Sequence, residues 1–333
     1  MDVFFADIAG IPLGSFDPPG VDAAAAADPP KRCLLDCKPF FGESTNATTA
    51  WLWARGLGLL SDGGGGGYHV AVLTTQGGGD LELFLFSSET GTWTFKKPLV
   101  SLDQDMDQDR VADFVPDKVI TVGGGVLAFV DFWNGILIGD VLQGDGSPEF
   151  HHIPLPFGDP CRPPCMDSYR LMPRDVSIDS VSAAGQEDIL RIRLAYVVCP
   201  TDLCAWVATT WITTTAATSP WGQLDEWCMD SVLQARHLSV GDDVSVAELP
   251  PPTDEADLDP LDFGYLFVDR PLLSLHQDNI VYFLAKGRDQ DWSTQVFAIA
   301  VDMVAKKLQG VHPLQTGRIT RLLYSTISSH LNS

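Results

Sequence analysis

The chain has 333 residues, of which 45% are hydrophobic, 10% aromatic and 20% charged, and this composition excludes a disordered tail because such a chain can bury a large core. Asp and Glu outnumber Lys and Arg by 44 to 21, which gives a formal net charge of -23 and a sequence pI near 4.4. Nucleic-acid binding needs clustered basic residues that replace the counterions of the phosphates, so the charge argues against a nucleic-acid partner. The same surplus of acid keeps a protein soluble, which is the simpler interpretation.

The N-terminus lacks the charged and apolar regions of a secretory signal, and no run of about 18 apolar residues offers a membrane span. We therefore expect a soluble protein of the cytoplasm or nucleus with no membrane partner. Seven cysteines, an odd number, are then expected to be reduced thiols. Asn46-Ala47-Thr48 fits the sequence rule for N-glycosylation, but the modification needs a secretory route.

Residues 1–32 are predicted to form a flexible Pro- and Ala-rich lead-in, and residues 33–331 a single domain. Two glycine runs, Gly63–Gly67 and Gly77–Gly79, predict loops on either side of the apolar segment 68–73. Strand-like segments dominate the rest of the chain, and long helical periodicity is nearly absent. The domain is therefore predicted to be all-β.

Four segments share one format, in which an apolar run is followed by a polar turn and by a tryptophan in that turn or shortly after it. They start at intervals of roughly 46, 65 and 88 residues, which is typical of propeller blades with insertions. We predict a degenerate β-propeller-like domain of antiparallel blades, with a large β-sandwich as the alternative. The segments are Leu81–Phe86 with Trp93, Leu127–Phe132 with Trp133, Ile192–Val198 with Trp206, and Ile280–Leu284 with Trp292.

Alternate aspartates between Asp103 and Asp109 resemble the start of a calcium-binding EF-hand loop. A loop that began at Asp103 would need glycine at its sixth position and glutamate at its twelfth, where this chain has Gln108 and Phe114. The segment is therefore interpreted as a solvated acidic loop without a calcium ion.

Two cysteine pairs, Cys33 with Cys37 and Cys161 with Cys165, have a spacing that structural zinc sites also use. No feature of the sequence brings the two pairs together, and Pro163-Pro164 makes the second spacing a stiff turn. Incidental thiols are the favoured interpretation, and we predict no metal site.

Enzyme motifs are missing from the sequence. His151 and His152 are adjacent, and adjacent residues of a strand point to opposite faces, so the two imidazoles cannot readily share one metal or substrate. HExxH, GxSxG and GxxxxGK[ST] do not occur, and Gly123–Gly125 precede a strand where a dinucleotide site needs glycines after one. We predict no catalytic residue and no cofactor, and a non-enzymatic function is favoured.

The segment Leu127–Pro156 is predicted to form a strand, a tight turn at Trp133-Asn134-Gly135, and a second strand. It closely resembles the signature of the plant, mainly grass, domain of unknown function 1618 (DUF1618). That family implies no accepted catalytic residues. Segments similar to other parts of the same family follow in order along the chain, at Leu34–Asp36, Asn46–Ala50, Asp80–Trp93, Asp117–Gly125, Pro271–Lys286 and Ala300–Met303.

Asp131, Trp133 and Asp140 of this signature hairpin form the candidate interaction surface, because exposed aromatic residues anchor protein contacts. In the structural alternative Trp133 is a packing residue, Gly135 takes a positive φ, and the aspartates cap turns. The leading hypothesis is a non-enzymatic protein–protein interaction module with an unknown protein partner. The alternative is a ligand-binding or hydrolytic propeller that uses carboxylates.

Overall fold

The computed structural model describes residues 56–61, 67–75, 80–101, 113–144, 146–156, 174–181, 189–198, 206–216, 225–242, 244–247, 249–250, 263–287 and 296–314. Within these ranges the chain forms 18 strands and two short 3-10 turns, which confirms the predicted all-β class. None of the described helices is long and apolar enough to cross a membrane. The predicted lead-in, the glycosylation sequence, the aspartates between Asp103 and Asp109, both cysteine pairs and Trp292 lie outside the described residues.

The first sheet consists of four strands that pair antiparallel in chain order: β1 (Leu57–Ser61), β2 (Tyr68–Thr75), β3 (Leu81–Ser87) and β4 (Thr92–Lys96). β3 buries Leu81, Leu83 and Leu85 at alternate positions, as a strand with one face on a core does. β4 lies at the outer edge of the sheet and is mostly exposed. The turn between β3 and β4 contains Gly91, whose φ of 66° a residue without Cβ adopts at low cost.

The second sheet consists of β5 (Leu99–Ser101), β6 (Lys118–Gly123), β7 (Val126–Asp131), β8 (Gly135–Asp140) and β9 (Glu149–Ile153). β6 to β9 pair antiparallel in chain order, and the short β5 pairs parallel with β9 at the outer edge. β7 and β8 are buried along almost their whole length, so both of their faces are covered. The predicted turn at residues 133–135 lies between them.

The third sheet consists of four strands that pair antiparallel in chain order: β10 (Arg174–Val181), β11 (Ile189–Val198), β12 (Val207–Ala216) and β13 (Cys228–Gln234). The fourth sheet consists of β14 (Ser239–Val240), β15 (Leu266–Leu273), β16 (Ile280–Gly287), β17 (Val296–Asp302) and β18 (Lys307–Leu314). Its long strands pair antiparallel in chain order, and the short β14 pairs parallel with β18. The 3-10 turns are Ala235–His237 and Phe263–Tyr265.

Each of the four predicted apolar segments lies in a different sheet, at β3, β7, β11 and β16. Their tryptophans have different environments. Trp206 is fully buried between the third and fourth sheets, with its ring centroid 5.9 Å from that of Phe283. Trp93 is half-buried and lies 5.3 Å from Phe86 of its own sheet. Trp206 therefore packs against the neighbouring sheet, whereas the contact of Trp93 with Phe86 lies within one sheet.

The four sheets pack against one another in chain order. One apolar core lies between the first and second sheets, another between the second and third, and a third between the third and fourth. The first long strand of each sheet also contacts the first long strand of the next sheet, so that β1 contacts β6, β6 contacts β10, and β10 contacts β15. In the core between the first two sheets, the Phe129 ring meets the Phe150 ring edge-on, with centroids 5.7 Å apart.

Replacing Phe129 with alanine tests this first core. The Phe129 side chain is fully buried, so its removal leaves a cavity and should lower the free energy of unfolding by about 3–5 kcal/mol. Phe95 is 56% exposed, and Phe95→Ala should cost no more than about 1 kcal/mol. Urea denaturation of both variants measures the difference, and equal losses would contradict the proposed position of the core.

Candidate functional site

The carboxylate of Asp131 closes the turn of the signature hairpin. Asp131 is 1% exposed, and its Oδ1 accepts hydrogen bonds from the backbone N–H groups of Trp133 at 2.8 Å and Asn134 at 3.1 Å. Its Oδ2 accepts from the Val115 N–H and from the Asn134 side-chain amide, both at 2.8 Å. A buried carboxylate with four donors is satisfied inside the protein, and these are the contacts of a turn cap.

Gly135 is required at the end of the same turn for two reasons. Its φ is 125°, in the region that favours glycine, and an added Cβ would lie 2.4 Å from Nε2 of His152 and 2.7 Å from the Ile153 carbonyl oxygen. The buried His152 lies close because its Nε2 is 2.8 Å from the Asn134 carbonyl oxygen. His151 is half-buried, so the two adjacent histidines have different environments.

Trp133 packs at the boundary between the second and third sheets. Its half-buried ring lies 4.6 Å from the guanidinium carbon of Arg174, which is also 5.0 Å from the ring of Tyr196. Arg174 is buried and donates from Nη1 to the Phe132 carbonyl. Burial lowers the pKa of Arg174, while Tyr196 and Asp131 act to raise it. The guanidinium thus joins the third sheet to the signature turn.

Asp140, the third residue of the candidate interaction surface, is half-buried at the end of β8. Its Oδ1 accepts a hydrogen bond from the Leu142 N–H at 2.9 Å. Gly125 lies so close that an added Cβ would be 2.5 Å from this oxygen. Asp131 and Asp140 thus make turn-capping contacts and Trp133 makes packing contacts, while an interaction surface at these three residues stays a prediction.

A buried carboxylate on the third sheet joins three sheets. Asp175 is 1% exposed, and its Oδ1 accepts from the Lys118 ammonium of β6 at 2.8 Å. Its Oδ2 accepts from the backbone N–H of Leu273, at the end of β15, at 2.9 Å. Lys118 also donates to the Val176 carbonyl at 2.8 Å. A buried ion pair offsets its loss of hydration only with such additional hydrogen bonds.

Two arginines of β11 hold the turn between β15 and β16. Arg191 binds both carboxylate oxygens of Asp278, at 2.6 and 2.9 Å, and the hydrogen bond from Arg191 holds the pKa of that carboxyl below its ordinary value. Arg193 is buried and donates to the Ser274 carbonyl at 2.8 Å and the Asp278 carbonyl at 3.1 Å. These bonds fix the position of residues 274–279 on the fourth sheet.

The fixed turn supplies part of a groove of about 450 Å³ on the fourth sheet. Val281, Phe283 and Val301 face the core shared with the third sheet, so the groove lies on the opposite face. Side chains become smaller across the floor of the groove, because Tyr282 pairs with Ala300 on the next strand and Ala300 pairs with Gly310 on the strand after it. The lining residues are Gln277, Asn279, Ile280, Tyr282, Ala298, Ala300, Asp302, Gln309, Gly310, Val311 and His312.

Asp302 contributes a carboxylate to this groove, but its oxygens already have donors. Oδ1 accepts from the N–H groups of Val304 at 3.0 Å and Ala305 at 2.7 Å, and Oδ2 accepts from the Asn279 amide at 2.5 Å. A carboxylate bound in this way is poorly suited to transfer a proton to a substrate. Among the described residues, no three His, Cys, Asp or Glu side chains are grouped to hold a metal ion.

Among the described strands, β4 in the first sheet and β13 in the third are outer edges with no further strand paired to them. They carry large apolar side chains at the surface, with Phe95 56%, Met229 57% and Val232 37% exposed. In the second and fourth sheets a short parallel strand, β5 or β14, covers the corresponding edge. An exposed edge presents backbone groups that can pair with another extended chain.

Sequence reasoning did not find the polar contacts between the sheets. Their signal was charged residues within strand-like apolar runs, in RDVSID of β10 and LRIRL of β11. A charge at a buried strand position needs a partner, but the pattern does not say which one. The exposed edges depend on the order of strands in each sheet, and the groove depends on a glycine within a strand. The sequence alone predicted neither feature.

Comparison with known proteins gives a family without a described activity. Residues 129–282 match the family described as "Protein of unknown function (DUF1618)", which supports the family that the sequence resembles. No curated protein matches the chain. Among the solved structures, "The crystal structure of endo-arabinase from Bacteroides thetaiotaomicron VPI-5482" is similar at 12% identity and a TM-score of 0.30, over 74% of this chain and 75% of that chain. This TM-score is too low to carry over fold or activity.

Replacing Asp278 with asparagine tests the contact that fixes the groove's turn. The pKa of Asp278 in the folded protein lies below its ordinary value of 3.8. The ionised carboxylate therefore stabilises the fold fully above pH 3.8, and this stabilisation is lost as pH falls through the lowered folded-state pKa. Wild type should be more stable than Asp278→Asn at pH 7, with the difference shrinking below about pH 4. Urea unfolding across this range measures it.

The control for this variant is Asp80→Asn, which breaks the exposed pair of Asp80 with Lys97. Exposed ion pairs contribute little, so this change should alter the free energy of unfolding by no more than about 1 kcal/mol at pH 7. A difference between wild type and Asp278→Asn that is independent of pH would rule out an ionic contribution of Asp278.

Proposed function

We propose that this chain, matched to the DUF1618 family over residues 129–282, is a non-enzymatic protein–protein interaction module on a propeller-like scaffold. We place it in the cytoplasm or nucleus of a plant cell, in line with the sequence resemblance. The partner is another protein. The described surface supports this proposal more than it supports catalysis.

The propeller-like scaffold is supported by the order of the sheets. In a propeller, the first strand of each blade lies near the centre, and successive blades pack face to face. Here the leading long strands β1, β6, β10 and β15 contact one another in chain order, and each consecutive pair of sheets shares an apolar core. A β-sandwich has two sheets and does not account for four that pack in series.

The exposed edge of the first sheet carries the proposal of an interaction module. β4 offers an extended backbone at the surface and the exposed ring of Phe95 beside it, 5.4 Å from the ring of Phe84. An extended peptide can add to such an edge through main-chain hydrogen bonds, while its side chains meet the neighbouring apolar surface. The short strands β5 and β14 show that outer strands of this fold accept an added parallel strand.

The proposed ligand of this edge is an extended segment of a partner protein that carries an apolar residue. The apolar residue would contact Phe95. A partner that is basic elsewhere suits a chain whose net charge is -23, because opposite charge speeds encounter and disfavours other acidic partners.

A hydrolytic propeller is less well supported. Hydrolysis by carboxylates needs two acids that face a substrate at a defined separation. The buried Asp131, Asp175 and Asp302 each accept hydrogen bonds from neighbouring groups on both oxygens. These carboxylates are therefore engaged in the fold.

The test is affinity capture by the tagged full-length protein from plant extract, with mass spectrometry and a charge-matched acidic bait as the background. Phe95→Lys puts a charge on the β4 edge, a change that blocks strand addition in natural proteins. Val232→Lys makes the same change on the other exposed edge, β13. The Val232→Lys variant should still capture the partner. The segment of the partner that makes the contact, once purified, should bind to the Phe95→Lys variant at least about 10-fold more weakly than to wild type.

Two results would contradict the proposal. One is a partner list no different from that of the acidic bait. The other is a partner whose affinity is unchanged by Phe95→Lys or is lost only with Val232→Lys, which would move the contact away from β4. Because both side chains are exposed, the melting temperatures of the variants should stay near that of wild type and show that the fold is intact.

A further inference from the structure

We infer that the groove on the fourth sheet binds a small, uncharged, polyhydroxylated ring such as a sugar residue. Its volume of about 450 Å³ lies in the range of small-molecule sites. This site is on a different sheet from the β4 edge, and it does not depend on the proposed protein partner.

Gly310 is the first observation that points to a ligand. It is not among the glycines with positive φ, so the backbone of β18 does not require a glycine at this position. Among the described residues, an added Cβ would meet the Ala300 Cβ at 3.8 Å, which is an ordinary contact, so the described packing does not require glycine. A strand glycine lowers stability, and it marks a bulge or a place that another group approaches closely.

The pairing of β17 with β18 also changes at this point. Ala300 pairs with Gly310 and Val301 pairs with Leu308, so Gln309 is the extra residue of a bulge. Bulges re-aim a side chain and are frequent beside functional sites. Gln309 is exposed and lines the groove next to the open position at Gly310.

The chemistry of the lining favours an uncharged ligand. The described lining residues include no lysine or arginine to pair with a phosphate or carboxylate, so an anionic ligand is disfavoured. The Asp302 oxygens already accept three hydrogen bonds, so a cationic ligand would have to compete with these donors.

Two amide side chains line the groove beside the polar groups of Tyr282 and His312. Gln277 and Gln309 are exposed, and each amide presents both donors and an acceptor. A hydroxyl group also donates and accepts, so adjacent hydroxyls of a ring match this set. The turn that carries Gln277 is fixed by Arg193 through the Ser274 carbonyl, which lowers the cost of ordering the site on binding.

The test is calorimetric titration of the full-length protein with glucose, galactose, xylose and myo-inositol, their methyl glycosides where these exist, and glucose 6-phosphate. At least one neutral compound should bind with a Kd below about 10 mM, and glucose 6-phosphate should bind at least about 10-fold more weakly than glucose. Methyl glycosides that bind as well as the free sugars would identify a glycan residue as the ligand, and binding of free sugars alone would identify a free sugar.

A substitution series separates lost binding from lost folding. Gly310→Ala and Gly310→Val place side chains of increasing size in the groove, and both substitutions favour the strand conformation. The melting temperature should therefore stay the same or rise. The affinity for the sugar should fall, by at least about 10-fold for valine. Gln309→Ala should weaken sugar binding without filling the groove, and Phe95→Lys should leave sugar binding unchanged. The inference is overturned if no neutral compound binds, if the phosphorylated sugar binds as tightly, or if Gly310→Val binds like wild type.

Discussion

The buried carboxylate of Asp175 is the constraint on which the arrangement of the sheets depends. An ionised group with 1% exposure is tolerated only when charge and hydrogen bonds replace its hydration, and here the Lys118 ammonium and the Leu273 N–H do so from two different sheets. Movement of Lys118 would leave a buried charge without its counter-charge, and movement of Leu273 would leave a buried carboxylate oxygen without its backbone donor. The third sheet therefore fixes the second and fourth sheets through a single side chain.

Arginines extend the same principle to the turns of the neighbouring sheets. Arg174 reaches back to the carbonyl of the signature turn in the second sheet, and Arg191 and Arg193 reach forward to residues 274–279 of the fourth. The polar contacts of the signature hairpin are thus explained by its place at a boundary between sheets. Binding is proposed away from the signature hairpin, at the β4 edge and at the groove beside Gly310, part of which is formed by the turn that Arg191 and Arg193 hold.

The sequence predicted the local features of this fold well because they depend on near neighbours. Apolar runs followed by a polar turn and a tryptophan located one strand segment in each sheet, and Asn134-Gly135 located a turn whose glycine has φ 125°. The contacts of Asp175 join residues 57 and 98 positions apart, and that of Arg174 spans 42. No periodic pattern reports such distances, so the boundary position of Trp133 and the groove could not be predicted.

Hydrogen exchange with mass spectrometry on Asp175→Ala, beside Asp179→Ala on the same face of β10, tests the central claim most directly. Amide protection reports local opening, so removal of a carboxylate that joins three sheets should lower protection in β6 and β15 together. Asp179→Ala should leave both strands protected, because its carboxylate contacts Arg191 and Arg193 of its own sheet. Loss of protection confined to β10, or equal losses in the two variants, would contradict this account of how the sheets are held.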